Sequence, residues 1–254
     1  MKLQKALRTS KGYVGAFLFI IIFWHLAAIL INLPILPTPG KALAATWRLL
    51  QGELTGHLLI STYRVLVSLL ISFLLGVPLG LWMGYSSRAD RLLAPIVYLT
   101  YPIPKIVFLP LILLFLGLGD SSKIFLLTLI VFYQILVTTR DAVRKISVET
   151  IDSLRSLGAT KRQIYKYVLW PASLPDVLTA LRISTGTAIA VLFFAESFAT
   201  SKGLGYFIMD AWARSAPDEM FAGILIMGLL GVVLFFAIDV LEHVFCRWQK
   251  LKKQ

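Results

Sequence analysis

The sequence predicts an all-α polytopic membrane protein with six transmembrane helices, and three observations carry that prediction. Of 254 residues, 58% are hydrophobic and only 15% charged, with a mean hydropathy of +0.81; soluble chains carry roughly a quarter charged residues. The apolar residues gather into six runs, at about 13–33, 58–85, 92–119, 124–139, 177–200 and 220–245. None of them alternates as a barrel strand does. A chain in lipid must satisfy its own backbone hydrogen bonds, so the runs are helices. The third observation is the sorting of cations. With the N-terminus in the cytoplasm, 17 of the 25 basic residues fall on the inner side and five outside: Lys41, Arg48, Lys123, Lys202 and Arg214. Arg64, Lys105 and Arg182 fall within spans. That bias places both termini inside and explains the net charge of +12 without nucleic acid.

The first run follows Lys2, Lys5, Arg8 and Lys11 and could be taken for a secretion signal. Its apolar length of about 20 exceeds the 7–15 of a signal core, and further spans follow, so it reads as a retained helix. The outer loop opens on Leu33-Pro-Ile-Leu-Pro-Thr-Pro-Gly40, a rigid extended stretch. Residues 41–51 then read as a short interfacial helix with Leu43, Trp47 and Leu50 on one face. The second run, 28 residues, is about 42 Å as a helix and must tilt or project from the hydrocarbon. The third is interrupted by Pro95, Pro102, Pro104 and Pro110, which predict a kink or an unwound stretch. Trp24, Trp47, Trp82, Trp212 and Trp248 lie near span ends, as an aromatic belt requires. The single Cys246 excludes an intramolecular disulfide, and with three scattered His it gives no metal site.

The one sizeable polar region lies between Arg140 and Pro175. Ser147 is placed to cap a helix whose Val148, Ile151, Leu154 and Leu157 form an apolar stripe. Gly158 stands where a helix end needs a left-handed residue, and Thr160 with Gln163 is a capping-box pair. The next helix carries Ile164 and Val168 and is expected to stop at Pro171 and Pro175. This compact helix–turn–helix could be a solvated connection or a docking peg. Tethering to membrane spans at both ends disfavours a DNA-binding role.

The spacing of that segment is specific. Asp152-Ser-Leu-Arg-Ser-Leu-Gly158, nine residues, then Val168-Leu-Trp-Pro171 resembles the EAA loop of ABC importer permeases. Asp152 stands for the Glu, Ser153 and Leu154 for the two alanines, and Trp170 replaces a Leu. Arg64-Val-Leu-Val-Ser-Leu-Leu, Gly76-Val-Pro-Leu-Gly80, Tyr101-Pro-Ile-Pro-Lys105, Phe115-Leu-Gly-Leu-Gly119, Ala195-Glu196, Gly203-Leu-Gly-Tyr206 and the run from Phe221 to Gly231 extend the likeness in order. Together they resemble the nitrate/sulfonate/taurine branch of binding-protein-dependent permeases over residues 58–248. The resemblance implies a type I ABC importer (MetI-like) permease fold in the bacterial inner membrane. It divides the chain into 1–57 (leader, first helix, outer loop), 58–248 (permease core, coupling loop about 140–175) and 249–254 (basic tail).

The resemblance also implies the partners: a second copy of the chain, two cytoplasmic ABC ATPase subunits and a periplasmic substrate-binding protein. The sequence has no G-x-x-x-x-G-K-[ST]. No cofactor is therefore expected on this chain; ATP and Mg belong to the ATPase, and no catalytic residue is assigned. Coupling falls to Asp152, Ser153, Leu154, Arg155, Gly158, Ala159, Lys161, Arg162 and Pro171.

Ionisable groups within spans are functional candidates, because each costs roughly 2.5–3.5 kcal/mol to insert. Lys105 follows Pro102-Ile-Pro104 and has two readings: lining the pathway with Tyr101, Pro102 and Pro104, or pairing with Glu196 as a structural bridge. Glu196, beside the Gly203-Leu-Gly205 turn, reads as interfacial or as part of a gate. Arg64 is expected to snorkel outward, and Arg182 to meet lipid phosphates or a second protomer. A cation at a broken helix suits a small anion such as a sulfonate, taurine or nitrate; the branch also includes carriers of pyrimidines and aromatic compounds. A secondary transporter or channel, a membrane enzyme and a signalling subunit are the rival classes. No H-E-x-x-H or G-x-S-x-G supports an enzyme.

Overall fold

The computed structural model describes the backbone of residues 2–198 and 200–250, and the side chains of residues 12, 14–198 and 200–248. The leader cations Lys2, Lys5, Arg8 and Lys11, and the tail cations Lys250, Lys252 and Lys253, lie outside the described side chains. Helix α1 (Lys2–Ile31) presents Phe17, Phe19 and Leu30 outward, which in a bilayer is the lipid-facing direction. It meets the bundle through Ala28 and through Trp24, stacked on Phe221 at 5.6 Å.

Helix α2 (Pro39–Leu50) starts on a proline, tolerated there because the first-turn N–H has no partner to lose. It buries Ala42, Ala45 and Thr46 against the bundle. Of the face expected at the interface, Leu43 and Trp47 point outward, 54% and 71% exposed, while Leu50 turns half inward and packs on the core.

Helices α3 (Glu53–Tyr85) and α6 (Asp120–Arg144) are the central pair. They run parallel with a fixed register: Arg64 meets Asp120, Ser68 Oγ donates to the Ile124 carbonyl at 3.2 Å, and Ser72 Oγ to that of Thr128 at 3.1 Å, each a separation of 56 residues. The same register continues through three glycines. A Cβ on Gly76, Gly80 or Gly84 would lie 3.2, 2.7 and 2.8 Å from the carbonyl oxygens of Phe132, Leu136 and Arg140. Small residues every fourth position thus bring two backbones together, the usual way helices associate where lipid supplies no hydrophobic drive.

Between them the third span is broken. Helix α4 (Ser87–Thr100) ends at Tyr101–Pro104; a short 3₁₀ turn, Lys105–Phe108, leads into α5 (Leu109–Leu116), and the two halves are bent by 78°. Pro102 and Pro104 cause the break, since neither donates a backbone hydrogen bond. Pro95 stays inside α4 and Pro110 sits in the first turn of α5. Helices α7 (Val148–Ser156) and α8 (Lys161–Ile164) follow in the segment after α6.

The expected stop at Pro171 and Pro175 does not occur. A π-helical turn, Tyr165–Leu169, joins α8 to α9 (Trp170–Ser197), and both prolines lie inside the continuous rod. The widened turn gives the Pro171 ring room where an α-turn would set it against the carbonyl four residues back. Helix α10 (Leu204–Ala213) and the last span, α11 (Pro217–Phe245), complete the chain. Among the described residues five helices are long and apolar enough to cross a membrane, and the bent pair α4–α5, counted as one span, makes six. The core lies where α3, α6, α9, α10 and α11 converge, around Val65, Leu126, Val131, Leu192, Leu204 and Ile226.

Candidate functional site

The segment holding α7 and α8 is built by its caps. Ser147 Oγ accepts from the Thr150 N–H at 3.3 Å and opens α7. At the other end Gly158 adopts φ +81°, its N–H donates to the Arg155 carbonyl at 2.9 Å, and the Ala159 N–H reaches Leu154 at 3.0 Å. Only a residue at ease with positive φ closes the helix this way. Thr160 and Gln163 form the complete capping box that starts α8.

The expected apolar stripe of α7 is split. Ile151, with Ile146, Ala159 and Tyr165, packs on the core, and Leu154 is half-buried. Val148 and Leu157 are 65% and 84% exposed. Asp152, Ser153, Gly158, Lys161 and Arg162 are exposed as well, while Pro171 is half-buried in the first turn of α9. Arg155 faces back toward the bundle. It donates to Asp152 Oδ1 and to the Tyr85 hydroxyl, both at 3.0 Å, and the Tyr85 hydrogen bond raises its pKa still further.

At the broken span, Lys105 Nζ donates to the carbonyls of Thr100 and Tyr101 at 2.8 and 2.6 Å, and sits 4.3 Å from the Tyr133 ring centre. A cation at the carboxyl end of a helix serves its unpaired carbonyls and complements its dipole. Tyr133 also shares a 2.8 Å hydrogen bond with Thr100. Tyr101, Pro102 and Pro104 are exposed beside it. The Lys105–Glu196 bridge does not form.

Glu196 is fully buried in a different cluster. Arg64 Nη1 donates to it at 2.7 Å, Ser61 Oγ at 2.8 Å and the Gly205 N–H at 2.9 Å. Arg64 also binds Asp120 at 2.6 Å and the Lys202 carbonyl at 2.9 Å. It is 2% exposed and does not snorkel, because three acceptors surround its guanidinium inside the bundle. Gly203, at φ +123°, leaves room for the carboxylate: a Cβ there would stand 2.5 Å from Glu196 Oε1. The Gly203 N–H donates to His57 Nδ1 at 3.0 Å. Ser61, His57, Asp120 and Tyr133 were missed by sequence reasoning. One usable signal existed: Arg64 and Glu196 both lie near the outer ends of their spans, at a depth where opposite charges should meet.

A family model described as the inner membrane component of binding-protein-dependent transport systems matches residues 76–249. The chain belongs to this family. A putative ABC transporter permease of Methanocaldococcus jannaschii is 36% identical over 92% of this chain and 90% of its own. The taurine transport system permease of Escherichia coli is 30% identical over 89% and 85%. The formylaminopyrimidine transport permease of Halalkalibacterium halodurans is 31% identical over 92% and 94%. In structure, the chain is similar to the inward-facing MetNI methionine ABC transporter, with TM-score 0.65, 22% identity, 78% of this chain and 96% of that chain covered. The fold is that of a type I ABC importer permease, and the protein is a multi-pass membrane transport subunit rather than an ATPase.

Two further charge clusters hold this permease together. Arg182 binds Asp239 at 2.6 Å and Glu242 at 3.2 Å, tying α9 to α11. Its own bundle thus supplies two carboxylates, partners that the sequence did not reveal. In the first turn of α4, Asp90 takes Arg140 and Arg144 of α6, and Arg140 also reaches the Tyr98 hydroxyl at 3.0 Å. Lys123, expected in the outer loop, is buried and donates to the Leu118 carbonyl.

Proposed function

We propose that the permease works as a homodimer with two cytoplasmic ABC ATPases and a periplasmic binding protein, passing a small solute inward past the Tyr101–Lys105 break. Both termini are cytoplasmic, and α7 with the Gly158 turn is the coupling element. The observation that carries this is Leu157, 84% exposed at the tip of α7 beside a glycine-closed helix end on the charged inner side. An apolar tip on a capped peg suits a protein groove, and its movement would displace the spans as a rigid body. Unwound backbone at membrane depth supports the pathway, since it is tolerated only where buried or lining a cavity.

For the solute we favour a small anion of the sulfonate, taurine or nitrate type, as the taurine relative suggests. The formylaminopyrimidine relative, similarly close, supports a non-anionic heterocycle instead. Copurification of the ATPase with the permease tests coupling: Leu157→Asp should abolish it, and undiminished copurification would remove α7 from the interface. Ligand identification on the cognate binding protein decides the solute class.

A further inference from the structure

Tyr85 is the last residue of α3, and three elements meet on it. Arg155 of α7 donates to its hydroxyl at 3.0 Å with the guanidinium 5.7 Å from its ring centre. Tyr165, opening the π-turn before α9, packs edge-on at 5.2 Å. One residue earlier, Gly84 is pressed against α6, where an added Cβ would lie 2.8 Å from the Arg140 carbonyl.

The packing around this contact makes it matter. Between α7 and the ends of α3 and α6 lies a cavity of about 310 Å³, lined by Met83, Tyr85, Val143, Ile146, Ile151 and Arg155. Across this half-open cleft α7 reaches the bundle through Ile151, which packs on the core, and through Arg155; such bridging contacts carry displacement where close packing does not. Arg155 is half exposed, a position where a guanidinium is ordinarily solvated, yet it is held from both sides by Asp152 and Tyr85.

We propose that Tyr85 is a positioning residue for energy coupling: through Arg155 it fastens α7 to the inner end of α3, so that movement imposed on α7 reaches the membrane as movement of α3. This rests on the coupling role assigned to α7 above. Helix α3 suits the task because its glycine-lined face cannot slide independently of α6. Its outer part, 21 residues from Tyr85 to Arg64 and about 31 Å away, is clasped to Glu196 and Asp120.

The test uses the permease–ATPase complex with ATP and vanadate as the probe, so no solute is needed. A cysteine at Ile103, in the broken span and 43% exposed, is introduced in a Cys246→Ser background, and its labelling rate is measured with and without trapped nucleotide. Tyr85→Phe keeps the ring and its contact with Tyr165 while removing the acceptor for Arg155. The parent should show a nucleotide-dependent rate, and Tyr85→Phe should shrink that difference roughly 5-fold or more although nucleotide is still trapped. Arg155→Met should do the same, and the double variant should be no worse than either single one. A parent rate indifferent to nucleotide would overturn the coupling role of α7 itself. A nucleotide-dependent parent with an equally responsive Tyr85→Phe, or additive losses in the double variant, would overturn the Tyr85 proposal alone.

Discussion

Gly80 of α3 faces the backbone of α6 so closely that a Cβ would stand 2.7 Å from the Leu136 carbonyl oxygen and 2.7 Å from Thr139 Cβ. Four residues on, Gly84 would meet Val143 Cβ at 2.5 Å and the Arg140 carbonyl oxygen at 2.8 Å. Backbone oxygens cannot swing aside as side-chain tips do, so any side chain here must part the two helices.

Gly80→Ala is therefore expected to lower stability by about 1–3 kcal/mol, the usual cost of overpacking. Gly228→Ala in α11, where nothing lies within 4 Å, is expected to be neutral or mildly stabilising. Thermal melts of the detergent-solubilised variants check the contrast. Equal melting temperatures would mean that α3 and α6 are not held at backbone distance.

The Arg64 cluster predicts an order of severity. Glu196→Ala strips a fully buried guanidinium of one carboxylate and leaves the Gly205 N–H without its acceptor, a loss of about 3–5 kcal/mol. Asp120, 41% exposed, can be replaced in part by water, and its alanine variant should cost about 1 kcal/mol. Arg64→Lys should not restore the parent, because one ammonium cannot span two carboxylates and a carbonyl as a fork does. Chemical denaturation of the three variants ranks them; Asp120→Ala as damaging as Glu196→Ala would contradict the burial argument.

At Gly158 the substituted residue must tolerate φ +81° and keep an N–H for the Arg155 carbonyl. Asparagine meets both requirements; proline meets neither. Gly158→Pro should abolish ATP-driven uptake with membrane insertion intact, and Gly158→Asn should retain a substantial part of it. Uptake into reconstituted vesicles gives the answer, and full transport by the proline variant would detach this turn from coupling.

These sites differ in how far the sequence exposed them. Ser147, Gly158 and the Thr160–Gln163 box act within a few residues, so their chemistry was legible in a linear string, as were the spans and the break at Pro102 and Pro104. Arg64 and Glu196 are 132 residues apart, and their pairing depends on how α3 and α9 pack. The 56-residue register likewise requires knowing that α3 and α6 are parallel neighbours. Pro171 misled because proline stops an isolated α-helix, whereas here a π-turn absorbs it. The Arg182 partners were hidden for a similar reason: Asp239 and Glu242 sit on the last helix, α11.

Lys105 brings the two kinds of role into one side chain. Its ammonium holds the Tyr101 carbonyl and shares the Thr100 carbonyl with the Ile103 N–H, and a buried carbonyl left without a partner costs about 1–3 kcal/mol. Lys105→Met should therefore lower the melting temperature whatever the solute. If an anion also passes this point, the same variant should raise KM for that solute by several-fold at a temperature where it remains folded, since the Tyr133 ring cannot replace a positive charge. Lys105→Arg, still cationic and still a donor, should recover most of the affinity. A destabilised Lys105→Met with unchanged KM would assign the lysine to the broken helix alone and remove the structural argument for an anionic solute.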